Sequence, residues 1–92
     1  MKNDKITVSV LFFASYKQLL GVSELNVELE NGAIIADLCR KLLENAKNNE
    51  KWQQVFASET SLKIACNQTL CDPDKGLQQG DQVAFFPPVT GG

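Results

Sequence analysis

The stretch Ile6-Thr7-Val8-Ser9-Val10-Leu11-Phe12-Phe13 decides the fold. It opens on strict alternation, with Ile6, Val8 and Val10 set against Thr7 and Ser9, and closes on an unbroken apolar run. Period-two alternation of β-branched and aromatic residues predicts a strand. A strand end that is apolar at every position has two explanations. Either it is central and covered on both faces, or one face is left sticky for a partner.

Working outward, Ser15-Tyr16-Lys17-Gln18 fits a capping box, with Ser15 at the N-cap and Gln18 three residues on. Leu19 and Leu20 follow, and Gly21 supplies a stop, so a single short turn of helix is expected. Leu25, Val27 and Leu29 alternate with Asn26, Glu28 and Glu30, which predicts a second, half-buried strand ended by Asn31-Gly32. From near Ala33 the period changes. Ile35, Leu38, Cys39, Leu42, Leu43 and Ala46 follow helical spacing, with Asp37 in the first turn and Arg40 and Lys41 later, as the helix dipole favours. The polar segment Lys47 to Lys51 ends that helix, and Trp52, Val55 and Phe56 form a shorter apolar stripe. Leu62 to Cys66 and Gln82 to Phe86 read as further strands. Between them lie Asn67-Gln68, the turn chemistry of Asp72-Pro73-Asp74-Lys75-Gly76, an inward Leu77 and a second turn at Gln79-Gly80-Asp81.

Strands before and after one long helix predict an α+β protein with a mixed sheet and the helix on one face. The two most apolar strands, the first and the last, belong side by side in the middle. That arrangement is a β-grasp, ubiquitin-like fold. Ninety-two residues make one domain, read here as a β-grasp body over 1–86 and an extended tail over 87–92.

Composition narrows the chemistry. Nine Lys and Arg against eleven Asp and Glu give a net charge of −2, so no basic surface for nucleic acid is implied. No apolar run approaches a membrane span. Lys2 and Lys5 ahead of Ile6 to Ala14 loosely resemble a signal peptide, but Asp4, Thr7 and Ser9 interrupt the pattern and no small-x-small site follows. The chain has no histidine, which removes the commonest general base and metal ligand. Three cysteines, Cys39, Cys66 and Cys71, fit neither a zinc site nor a secreted disulfide scaffold, so no metal is expected and a reducing cytoplasm is the default. Cys66 and Cys71 lack C-x-x-C spacing and read as buried or incidental thiols, and Cys39 as core. Asp72 and Asp74 read as turn formers rather than cation ligands, and Trp52 and Phe56 as core.

The segment with chemical content is Phe86-Pro87-Pro88-Val89-Thr90-Gly91-Gly92. Two prolines end the strand and stiffen its exit. Six residues beyond Phe86 reach up to roughly 20 Å when extended. Gly91 and Gly92 carry no side chain, so their backbone can enter a narrow channel and expose the terminal carboxylate to another enzyme's reagents. A frayed chain end is the plain alternative; a loose end, however, has no need of a rigid base.

Ala84-Phe85-Phe86-Pro87-Pro88-Val89-Thr90-Gly91-Gly92 resembles the C-terminus of the MoaD family of sulfur carriers, the small subunits of molybdopterin synthase. Val10-Leu11-Phe12-Phe13-Ala14 is similar to that family's first strand. Asn67-Gln68-Thr69-Leu70 and Leu77-x-x-Gly80-Asp81-x-Val83 occur in the expected order, so the likeness covers nearly the whole chain. Lys17-Gln18 departs from the Arg-Glu common in the family, and Cys66 from the usual aliphatic residue.

The resemblance implies a protein co-substrate with no active site and no bound cofactor of its own. An activating enzyme (MoeB-like) would adenylate Gly92 with ATP, and a sulfur donor would displace AMP to leave a C-terminal 1-thioglycine. The tail, Pro87, Pro88, Val89, Thr90, Gly91 and Gly92, would enter the large synthase subunit (MoaE-like) in a hetero-oligomer. There it would give sulfur to cyclic pyranopterin monophosphate. Ending at Gly92 implies no proteolytic maturation. Phe13, Leu70 and Phe86 match the family's apolar docking patch, the other reading being that they are core. The same carrier chemistry serving thiamine synthesis or tRNA thiolation, a ubiquitin-like protein modifier, and an interaction module with an inert tail are the alternatives.

Overall fold

The computed structural model describes residues 4–46, 50–56 and 63–86. The elements run β1 (Lys5–Phe12), α1 (Ala14–Leu20), β2 (Glu24–Glu30), α2 (Ile35–Ala46), α3 (Glu50–Phe56), β3 (Lys63–Cys66), β4 (Thr69–Leu70) and β5 (Gln82–Phe86). The sheet order is β2-β1-β5-β3-β4. β1 and β5 pair in parallel, with Val10 opposite Val83 and Phe12 opposite Phe85, and every other pair is antiparallel. The expected mixed sheet, with first and last strands adjacent at its middle, is the one observed.

Alternation dictates what each strand buries. Val8, Val10 and Phe12 of β1, Val27 and Leu29 of β2, and Val83 and Phe85 of β5 turn to the core. They meet Ile35, Leu38, Cys39 and Leu42, the buried stripe of α2, with Leu43 partly buried beside them. The second apolar stripe forms α3, which starts at Glu50, inside the polar segment read as the end of the long helix. Its Phe56 is buried and its Trp52 partly so. Trp52, Phe56 and Phe85 surround Phe12 at ring separations of 5.5, 6.4 and 5.9 Å. Burial of Phe12, Phe56 and Phe85 contributes about 1.5–3 kcal/mol for each side chain.

The capping box at Ser15 does not form. The N-cap is Phe13, with no side-chain cap, because the Phe13 amide still donates to the Phe85 carbonyl and the chain leaves the sheet only after it. Position in the sheet thus overrides cap propensity, and the helix runs seven residues rather than one turn. Gly21 ends it in the left-handed region (φ 76°), its amide donating to the Lys17 carbonyl. α2 starts at Ile35, two residues past Ala33. The Asp37 carboxylate reaches back to accept from the Ile34 amide at 2.9 Å, and the turn after β4 supplies the Lys75 and Pro73 carbonyls to the Ile35 and Ala36 amides. These contacts satisfy the first helical N–H groups and dock the helix end against the loop that leads to Leu77, which is buried as expected.

Candidate functional site

The face of the sheet turned away from α2 is split along β1. At the start of the strand it is polar: Lys5 pairs with Glu30 at 3.1 Å, Thr7 stands opposite Glu28, and the Ser9 hydroxyl donates to Asn26 Oδ1 at 3.3 Å. At the end of the strand it is apolar. Leu11, Ala84, Ala65 and Leu70 form one row across four strands, since each is the register partner of the next. Two residues further along, Phe13 and Phe86 stack with centroids 5.1 Å apart and planes 8° from parallel. Phe13 is 42% exposed, Leu70 is 71% exposed and Phe86 is half-buried. All three sequence-predicted docking residues therefore share this face, and none is core. Of the two explanations for the apolar end of β1, cover on both faces does not extend to Phe13, whose ring is open to solvent.

β5 ends at Phe86, so its last residue belongs to this patch. The other predicted site residues, Pro87, Pro88, Val89, Thr90, Gly91 and Gly92, lie outside the described residues. Two features went unpredicted. β4 is only two residues long, too short to show a period, so the row that ends in Leu70 is not visible in the sequence. Leu11 was legible only as part of an apolar run, although its spacing from Phe13 already puts the two on one face.

The remaining candidates are quiet. All three cysteines are free thiols. Burial pushes both Cys66 and Cys71 above the usual thiol value, the opposite of an activated nucleophile. Among the described residues, no three His, Cys, Asp or Glu side chains gather as a metal site, and no helix is long and apolar enough to cross a membrane. A cleft of about 400 Å³ lies at the polar end, lined by Lys5, Glu30, Asp37 and Arg40 among others. Four of the charges that line it form two pairs, Lys5 with Glu30 and Arg40 with Asp37 at 2.9 Å.

A five-stranded mixed sheet in this order, with a long helix across one face and the C-terminal strand in the middle, defines a ubiquitin-like β-grasp protein. The sequence narrows this further. The chain belongs to the ThiS family, whose profile matches residues 10–92. It is 39% identical to the molybdopterin synthase sulfur carrier subunit of Haemophilus influenzae, over 92% of this chain and 99% of that protein. Among solved structures it is similar to a putative molybdopterin converting factor subunit 1 from Pyrococcus furiosus. That match has 35% identity and a TM-score of 0.71, covering 91% of this chain and 99% of that one. It is also similar, at 26% identity and a TM-score of 0.66, to a chain in the complex of subunits 1 and 2 of molybdopterin-converting factor from Helicobacter pylori. That match covers 95% of this chain and 100% of that one. The resemblance to small molybdopterin synthase subunits holds.

Proposed function

We propose that this chain is the sulfur-carrier subunit of a cytoplasmic molybdopterin synthase and that Gly92 is its reacting residue. What supports this most is the stacked Phe13–Phe86 pair, an apolar surface at the end of the strand whose sequence runs on into Pro87-Pro88-Val89-Thr90-Gly91-Gly92. A carrier of this kind needs a face to dock on and a chain end to deliver. The converting-factor relative solved as a complex of subunits 1 and 2 supports a second-subunit partner, and the patch of Phe13, Phe86 and Leu70 is the surface this reading gives it.

The chemistry suits a chain without histidine. The Gly92 carboxylate attacks the α-phosphate of ATP in the activating enzyme, releasing pyrophosphate and forming an acyl-adenylate. A sulfur nucleophile displaces AMP and leaves a thiocarboxylate. This ion is a better nucleophile than the carboxylate: in the large subunit its sulfur bonds to a carbon of cyclic pyranopterin monophosphate as an oxygen group leaves, and water then cleaves the resulting thioester, leaving sulfur on the pterin and returning the Gly92 carboxylate. Every acid, base and metal in these steps belongs to the partners, and the carrier contributes a slim acyl terminus. A reducing compartment accords with three free thiols.

The test is intact mass after incubation with ATP, a cognate activating enzyme and a sulfur source. Exchange of one oxygen for sulfur, mapped to Gly92, is the expected result. An unchanged mass beside a control carrier that is modified would overturn the proposal, and an isopeptide-linked product would identify a protein modifier instead.

A further inference from the structure

Two sequence motifs, Asn67-Gln68-Thr69-Leu70 and Leu77-x-x-Gly80-Asp81-x-Val83, are separated by six residues in the chain and play no part in the carrier chemistry. In the fold they touch. Asn67 Nδ2 donates to Asp81 Oδ1 at 3.0 Å, while Asp81 Oδ2 accepts from the Gln78 amide at 2.9 Å. Asn67 Oδ1 accepts from the Gln82 amide at 3.0 Å, and the Asn67 amide donates to the Gln82 carbonyl at 2.7 Å. One side of this cluster is anchored to the central strand β1: the Ser9 amide donates to the Asp81 carbonyl, and the Gly80 amide to the Thr7 carbonyl. The other side is the β3–β4 turn.

That turn needs holding. Asn67 and Gln68 both have positive φ, 52° and 73°, with no glycine to ease it. Asn adopts this region more readily than most residues, but Gln68 does not, and it persists there where surrounding contacts over-determine the turn. β4 cannot do this alone, since it makes two ladder pairs at a sheet edge and both its residues are exposed. Yet β4 carries Leu70, the most exposed member of the apolar patch.

We propose that Asn67 and Asp81 are positioning residues for partner docking: their hydrogen bond ties the β3–β4 hairpin to β5 and β1 and so fixes Leu70 in the apolar row. This rests on the docking role given to Leu70 above. Asn67→Gly deletes the side-chain bonds while tolerating positive φ, so the turn itself is not penalised. Asn67→Asp combined with Asp81→Asn reverses donor and acceptor but keeps the bond.

The measurement is affinity for the synthase large subunit of the same organism, by titration calorimetry. Circular dichroism checks each variant's fold. Leu70→Ala weakens binding, and Asn67→Gly weakens it roughly five- to tenfold, the scale of one or two net hydrogen bonds. The exchanged pair recovers most of that loss, and in the Leu70→Ala background Asn67→Gly has little further effect. If Leu70→Ala binds as well as the unaltered chain, the docking role of Leu70 falls, and this inference with it. If Leu70→Ala weakens binding but Asn67→Gly does not, or costs as much without Leu70, only the positioning role is overturned.

Discussion

Phe12-Phe13 at the end of β1 and Phe85-Phe86 at the end of β5 are the same dipeptide twice, beside each other on neighbouring parallel strands, and the two halves have opposite fates. Phe12 and Phe85 are 1% and 0% exposed, under Trp52 and Phe56. Phe13 and Phe86 stack on the other side of the sheet, partly open to solvent. Composition cannot separate them, because they are identical. Strand parity separates them, since a step of one residue turns a side chain to the opposite face. One face has helices laid over it, and the other ends in an apolar patch beside the exit of the chain.

The largest effect should come from the inner pair. Phe85→Ala removes a ring from the middle of the aromatic cluster and should cost about 3–5 kcal/mol in urea unfolding, a large share of what a small domain possesses. Phe86→Ala, one residue on, should cost less than about 1 kcal/mol of stability. Its effect should fall on the partner instead, with affinity for the large subunit dropping about tenfold or more. Phe13→Ala should behave the same way, and a double-mutant cycle on the stack should give a coupling of about 0.5–1.5 kcal/mol. Equal destabilisation by Phe85→Ala and Phe86→Ala would abolish the distinction between the faces.

Most of the fold was legible because long elements announce their period. The alternation in β1 and β2 and the helical stripe through Ile35, Leu38, Cys39 and Leu42 are each repeated enough to be unambiguous. What was not legible depended on distant partners. Ser15 looked like a cap until the Phe13 amide bonded to Phe85 and moved the helix start. The glycine-free turn into β4 carries an Asn67 side chain bonded to residues 14 and 15 positions away, contacts that no local pattern announces. At the candidate site, Phe13, Leu70 and Phe86 could be named, but not whether they faced the core or solvent, because parity relative to the core is a tertiary fact.

The hairpin that carries Leu70 sharpens the comparison from another side, since polar contacts rather than burial hold it. Burial alone would raise the Asp81 carboxyl, but hydrogen bonds from Asn67, the Gln78 amide and the Cys66 thiol outweigh that and hold it below the ordinary value of 3.8. A carboxyl depressed in the folded state adds stability above its unfolded pKa and loses it as pH falls through the folded one. This contribution to wild-type stability should therefore be present above the ordinary value of 3.8 and fade as pH falls below it, and the gap to Asp81→Asn should narrow over the same fall. Chemical denaturation at stepped pH checks this, and a constant gap would remove Asp81 as a contributor.

The smallest effect belongs to the polar end of the outer face. Lys5 and Glu30 pair at 3.1 Å, and the hydrogen bond and charge of Glu30 raise the Lys5 ammonium above its ordinary value. Both side chains are open to water, with 44% and 72% of their surfaces exposed. Solvent and salt screen such a pair, and its attraction is largely offset by the entropy of ordering two long side chains. Lys5→Met and Glu30→Gln should leave the urea midpoint unchanged within error at physiological salt. They should also leave large-subunit affinity unchanged, because Phe12 lies seven positions along β1 from Lys5, on the order of 23 Å of strand. A loss of affinity in either variant would extend the docking surface along the whole face and remove the boundary drawn at Leu11.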